Sequence, residues 1–265
     1  MAEDTITVEL KTVQGPCLRL MVESFKDLVN EIDLAFDEQG LVLSNMDGTH
    51  MAMVRAMIKA EGVEVYRCRQ HVAVTACVAH LHKMIKNISH RDTLTLRLDS
   101  AVPHALVIII ENHEKQTRSE GMLKLLDTQS GTLDLPTSSY DAKVSMPSAT
   151  FQRMCKDMSQ ISGTLGITVC HEPKEGVVLR GEGEIGSLSH FLASCGEKNL
   201  SLTWASAEAV GTFTQCFILK YLLMFTKATQ IAPSVALLLT RNFPLLVSYE
   251  IIGLGEVTFC LVPKN

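Results

Sequence analysis

Aromatic side chains are scarce: 5% of the 265 residues, with a single tryptophan, Trp204. Little ring surface is therefore available for stacking unpaired bases, which argues against a single-strand binder. No apolar run reaches the length of about 20 residues that a bilayer-spanning helix needs. The most apolar stretch, Phe213 to Phe225, is interrupted by Lys220, so no membrane partner is expected. The start, Met1-Ala2-Glu3-Asp4, is acidic and leads straight into alternating residues, unlike a signal or transit peptide. Eight cysteines are scattered with no CxxC and no zinc-like quartet, mostly inside apolar runs, where a thiol behaves as a small hydrophobe. That usage reads as a reducing compartment, cytosol or nucleus. A nucleophile elbow, HExxH and a P-loop are also missing, so no motif nominates an enzyme or a cofactor.

What is present is a pattern of positive charge. The formal net charge is -5, yet four helix-like segments each carry two basic residues on their polar side: Arg19 and Lys26, Lys83 and Lys86, Arg153 and Lys156, Lys220 and Lys227. Spacings of three or seven keep each pair on one side of a helix. For one pair alone, a solvated helix face is an equally good explanation. Four pairs in a repeated layout on an acidic body point instead to a surface that meets a polyanion.

The chain runs twice through one plan. Thr5 to Val13 alternates like a strand, then Leu18, Met21, Val22, Phe25, Val29 and Ile32 take helical spacing. Short strand-like runs follow, and a second helix reads from Val74 through Val78, Leu81, Ile85 and Ile88. The second half repeats the order: a strand at Tyr140–Met146, a helix from Pro147-Ser148 burying Phe151, Met154, Cys155, Met158 and Ile161, more strands, and a fourth helix over roughly Gln215–Ala228. Lys26-Asp27-Leu28 recurs as Lys156-Asp157-Met158, and Gly40-Leu41-Val42-Leu43 as Gly176-Val177-Val178-Leu179. The expected fold is α+β: two similar domains, each of antiparallel sheets with two helices on one face. Domain limits are expected at 1–123 and 141–265, joined by a connector, 124–140, that is rich in Ser, Thr and Gly but also carries Leu133, Leu135 and Pro136.

Two motifs tempt. Gly181-Glu182-Gly183-Glu184-Ile185-Gly186 matches G-x-G-x-x-G, but its glutamates repel phosphate and a strand, not a helix, is expected after it. A turn or sheet edge fits better. Cys77, His80 and His82, with His71 and His90 nearby, suggest a metal, but residues two apart on a helix point in different directions. A solvated or half-buried helix face is the better account.

The residues also carry a family likeness. Val13-Gln14-Gly15, Lys26-Asp27-Leu28-Val29-Asn30-Glu31, Leu43-Ser44-Asn45-Met46-Asp47-Gly48-Thr49-His50, Met146-Pro147-Ser148, Phe225-Thr226-Lys227-Ala228-Thr229 and Leu261-Val262-Pro263-Lys264 run collinearly through the chain. In these the chain resembles the proliferating cell nuclear antigen (PCNA) family of DNA sliding clamps. The resemblance implies the DNA clamp fold and a ring-forming subunit: three copies closing head to tail as a homotrimer around duplex DNA, helices inside and sheets outside. Arg19, Lys26, Lys83, Lys86, Lys115, Lys124, Arg153, Lys156, Lys220 and Lys227 fall at its DNA-facing positions, implying sequence-independent phosphate contacts. Leu20 replaces a usual lysine.

The resemblance further implies a processivity factor for DNA polymerase, placed on DNA by a clamp loader, that catalyses nothing and uses no cofactor. Ligase, nuclease and other replication and repair proteins would dock through a clamp-binding peptide. Met46, His50, Met53, Leu133, Leu135, Pro136, Tyr140, Pro244, Cys260, Leu261, Val262 and Pro263 fall at the positions of the peptide cup, with Cys260 where eukaryotic clamps usually have tyrosine. Subunit contacts are expected at edge strands near Lys115–Met122 and Ile185–His190. The implied location is the nucleus or a viral replication site. Two alternatives stay open: a subunit of a heterotrimeric or checkpoint-type clamp, and a peptide-binding scaffold that does not encircle DNA.

Overall fold

The computed structural model describes residues 5–127, 133–135, 140–171, 174–194, 200–206 and 211–264. The first half holds β1 (Ile6–Thr12), α1 (Gly15–Phe25), β2 (Glu31–Asp37), β3 (Gly40–Met46), β4 (Ala52–Lys59), β5 (Val65–Cys68), β6 (Val72–Cys77), α2 (Val78–Ile85), β7 (Asp92–Asp99), β8 (Ala105–Asn112) and β9 (Thr117–Lys124). The second holds β10 (Ala142–Pro147), α3 (Ser148–Ser159), β11 (Thr164–Cys170), β12 (Gly176–Gly183), β13 (Gly186–Ala193), β14 (Ser201–Trp204), β15 (Phe213–Ile218), α4 (Leu219–Phe225), β16 (Ser234–Leu239), β17 (Leu245–Ile251) and β18 (Gly255–Leu261). The order of strands and helices is the same in both halves.

The pairing repeats as well. β1 lies antiparallel between β5 and β7, as β10 lies between β14 and β16. β2 lies between β3 and β6, as β11 lies between β12 and β15. Two α+β domains of antiparallel sheet with paired helices result, as the sequence periodicity indicates. By compactness the chain divides into unit 1 (Met1–Gly48, Val54–Asp134, Ile251–Val257) and unit 2 (Thr49–Met53, Leu135–Glu250, Thr258–Asn265).

In unit 1, α1 packs on α2 and both sit on the sheet. Leu18, Met21, Val22 and Phe25 of α1 and Leu81 and Ile85 of α2 are buried against Leu34, Leu41, Leu94 and Leu96. Pro16 lies in the first turn of α1, where its missing N–H costs nothing. In unit 2, α3 packs on α4, burying Phe151, Met154, Cys155 and Met158 on one side and Leu222 and Phe225 on the other. Gly40, at φ +144, opens β3; a Cβ there would lie 2.0 Å from the Ile58 carbonyl oxygen, so no other residue fits the turn.

The helices are shorter than the sequence suggests. α1 ends at Phe25, with Lys26 as its C-cap, and Ile32 belongs to β2. Residues 72–77 are strand β6, so α2 begins at Val78 rather than Val74. Gln215 lies in β15, α4 begins at Leu219, and after Phe225 the chain tightens into a 3-10 turn, Thr226–Gln230. For α2 and α4 an apolar strand runs straight into the helix with no polar break between them.

Candidate nucleic-acid interface and docking surface

The cations cluster by unit. In unit 1, Arg19 and Lys26 stand on α1 and its C-cap, Lys83 and Lys86 on α2 and its C-cap. Arg19 is half-buried, with its Nε enclosed and unpartnered; Lys26, Lys83 and Lys86 are exposed. The two helices bring their polar sides together. Lys26, Glu23, Arg19 and Lys86 all act on the half-buried imidazole of His82. Glu23 is an ion-pair partner to Arg19 Nη1 at 3.4 Å and to Lys26 Nζ at 3.8 Å, with His82 Nε2 at 4.0 Å. Burial first, then the neighbouring Lys26, Arg19 and Lys86, hold the His82 imidazole below its ordinary pKa of 6.5, with Glu23 opposing.

In unit 2, Arg153 and Lys156 are exposed on α3, Lys220 on α4 and Lys227 on the 3-10 turn that follows. The Gln152 side-chain amide donates to the Thr226 carbonyl at 2.9 Å, fixing α3 to the turn that carries Lys227. Lys115 occupies the turn between β8 and β9, its backbone N–H held by Asn112 Oδ1 at 2.8 Å. Lys124 ends β9, exposed. Each unit thus presents a cationic helix pair on a chain of net charge -5. His82 was read from the sequence only as a poor metal candidate; its place among the cations depends on α1 and α2 being neighbours, which one-dimensional spacing does not reveal.

The positions expected from the sequence to dock a peptide separate by burial. Met53, Cys260 and Leu261 are 5%, 7% and 0% exposed, so they back the surface rather than form it. Burial pushes the Cys260 thiol up to about 11. His50 and Val262 are exposed, and Leu135, Tyr140, Pro244 and Pro263 half-buried, in unit 2. There the Val262 N–H donates to the Met51 carbonyl at 3.0 Å, and Thr49 Oγ1 meets the Tyr221 hydroxyl at 2.8 Å. His50 adopts φ 57, the left-handed region. Met46 and Leu133 are half-buried in unit 1. Pro136 lies outside the described residues.

Among the strands that end a sheet are β9 and β13. β9 closes the order β5-β1-β7-β8-β9, and β13 closes β13-β12-β11-β15. Met122 on β9 and Phe191 on β13 are exposed, as is Ile185 at the turn before β13. The G-x-G-x-x-G segment is that turn. Gly183 ends β12 and Gly186 opens β13, with Glu184 and Ile185 between them. A Cβ at Gly183 would lie 1.9 Å from the Ile161 carbonyl oxygen; the glycine serves close packing, and no helix follows. Among the described residues no three His, Cys, Asp or Glu gather as ligands for a metal.

Comparison with known families agrees with this architecture. The model of the proliferating cell nuclear antigen N-terminal domain matches residues 7–132, and that of its C-terminal domain matches residues 134–265.

Proposed function

Because the chain belongs to the proliferating cell nuclear antigen family of DNA sliding clamps, we propose that three copies close head to tail into a ring around duplex DNA. The ring then acts as a polymerase processivity factor and docking platform. The observation that carries this is the paired cationic helix faces, one per unit, on an acidic chain. Such a face attracts phosphates without reading bases, and the acidic remainder repels them. Contacts of this kind break readily, which a sliding ring requires. Residues 1–123 and 141–265 are taken as the two clamp domains, with 124–140 as connector.

In unit 2 the Leu135, Tyr140 and Val262 side chains, with Leu261 buried behind them, suit a short peptide with aromatic anchors, and Leu133 of unit 1 is a further expected contact. The peptide's carriers would be polymerase, clamp loader, ligase or nuclease. The chain itself is inferred to catalyse nothing and to work in the nucleus or at a viral replication site.

The test is a ring carrying Lys83→Ala, Lys86→Ala, Arg153→Ala and Lys156→Ala. Polymerase processivity on primed DNA should drop; undiminished stimulation would remove the clamp role from these residues. A subunit of a heterotrimeric or checkpoint-type ring is the second reading, and one observation favours it. On β9, Arg118 and Glu120 pair within the chain at 3.1 Å, while β13 carries neither Lys, Arg, Asp nor Glu to answer them.

A further inference from the structure

One carboxylate stands inside the cationic face of unit 1. Glu23 lies one helical turn from both Arg19 and Lys26, with contacts of 3.4 and 3.8 Å, and across the helix pair from His82 at 4.0 Å. Its side chain is 39% exposed and those of Arg19 and Lys26 are 27% and 35%. Ion pairs this open to solvent add little to stability, so packing alone does not account for an anion here. Placed among cations that would otherwise repel one another and face phosphates, it lowers the local positive potential and ties back two of the groups that create it.

We propose that Glu23 is a positioning residue that weakens the grip of this face on DNA, and that His82 makes the weakening depend on pH. The proposal rests on the reading of α1 and α2 as DNA-facing. The groups acting on the His82 ring are Arg19, Glu23 and Lys26 from α1 and Lys86 from its own helix. β6, which abuts α2, carries no Lys, Arg, Asp or Glu; β9, which also packs on α2, carries Arg118, paired with Glu111 and Glu120, and the exposed Lys124; and α2 itself adds the exposed His80 and Lys83. At neutral pH the imidazole is uncharged, because burial and the surrounding cations hold its proton affinity low, and Glu23 is shared by Arg19 and Lys26. On acidification the ring gains a proton, the face gains one positive charge, and Glu23 is drawn toward the imidazolium, releasing Arg19 and Lys26 toward phosphate. By linkage, bound DNA favours the protonated ring by the same factor.

The experiment measures binding of the purified protein to a fluorescent duplex by anisotropy, across KCl concentration at pH 5.5 and 7.5. It is run for the unaltered chain, Glu23→Gln, His82→Asn and the Lys83→Ala/Lys86→Ala pair. Glu23→Gln at pH 7.5 should bind tighter, and that advantage should shrink by roughly threefold from 50 to 200 mM salt for each added phosphate contact, because the log–log salt slope is steeper by about 0.9. The unaltered chain should tighten at pH 5.5, and His82→Asn should lose that increment. Without DNA, the His82 imidazole midpoint followed by NMR should fall in Glu23→Gln, because the carboxylate is the one neighbour that favours the charged ring. If the lysine pair weakens binding but Glu23→Gln changes neither affinity nor slope, the inference fails while the DNA-facing reading stands. If the lysine pair also has no effect, that reading fails and the inference with it. An unmoved NMR midpoint would overturn the shared counter-charge whatever the DNA data show.

Discussion

The ring of Phe225, the last residue of α4, lies stacked on the ring of Phe259 in β18, with centroids 4.6 Å apart and planes 14° from parallel. Tyr249 meets Phe259 edge-on at 6.2 Å, and all three side chains are fully enclosed. Stacked and edge-to-face pairs of this kind add to the burial of their large apolar area. Since α4 has only seven residues and no side-chain cap, this stack does much of the work of holding Lys220 and Lys227 in place.

Phe259→Ala should therefore destabilise unit 2 by about 3–5 kcal/mol, the cost of emptying a well-packed aromatic site. Urea unfolding followed by the fluorescence of Trp204, which belongs to the same unit, reads the loss. A midpoint unchanged from that of the parent chain would mean the sheet holds α4 without the stack.

Two thiols in this region are buried. Burial pushes Cys155 up to about 12 and Cys260 up to about 11, from an ordinary 9.0. Since the thiolate is the reactive form, a maleimide at pH 8 should label the exposed Cys216 in the native protein and spare Cys155 and Cys260 until denaturant is added. The same shifts set an alkaline limit. The folded state keeps protons that the unfolded chain releases above about pH 9. The stability these thiols confer is complete below that pH and is lost progressively as pH rises toward 11 and 12. Tyr249, pushed upward by burial and by Cys155, adds in the same direction. Cys155→Ala should flatten the decline of the urea midpoint between pH 8.5 and 10.5; an unchanged slope would assign the decline to other groups.

How much of this was legible in the sequence depends on where polar residues punctuate it. α3 stands out because Phe151, Met154, Cys155 and Met158 bury one stripe while Arg153, Lys156 and Asp157 stay exposed, and Pro147-Ser148 marks its start. α2 and α4 blur into β6 and β15 because Cys77 and Ile218, their N-caps, are apolar and make no capping bond. A short apolar run does not declare its period. β9 shows no apolar alternation, since Thr117 to Glu120 are all exposed; its place came from family likeness. The cationic residues were legible as charges, but the Glu23–His82 contact is not, because it depends on α1 meeting α2.

For the proposed docking surface, the half-buried connector leucines should carry much of the affinity. Leu133→Ala with Leu135→Ala should weaken a clamp-binding peptide by about 2–4 kcal/mol if these leucines are hot-spot anchors. Both are half-buried, so truncating them removes contact area at modest cost to folding. Calorimetric titration of the peptide into each ring gives the answer. Equal affinities would take the connector out of peptide recognition.

The proposed ring can be tested at its edges. β9 and β13 each pair on one side only within their sheets, and open edges of this kind are paired, covered or blunted in natural proteins. Met122 is 57% exposed and Phe191 49%. If β9 of one copy pairs with β13 of the next, both apolar side chains gain cover at the joint. Met122→Glu would then place a carboxylate opposite β13, which offers no Lys or Arg to pair it, and Phe191→Glu would exchange an apolar ring for a charge that has to be desolvated in the joint. Sedimentation equilibrium should report roughly 87 kDa for the parent chain, three times 29.1 kDa, as a closed cyclic trimer requires. Either variant should shift toward the single-chain mass on dilution. A parent chain that stays at 29.1 kDa until a second subunit is added would favour the heterotrimeric reading. Variants that remain trimeric would place the subunit contact elsewhere than β9 and β13.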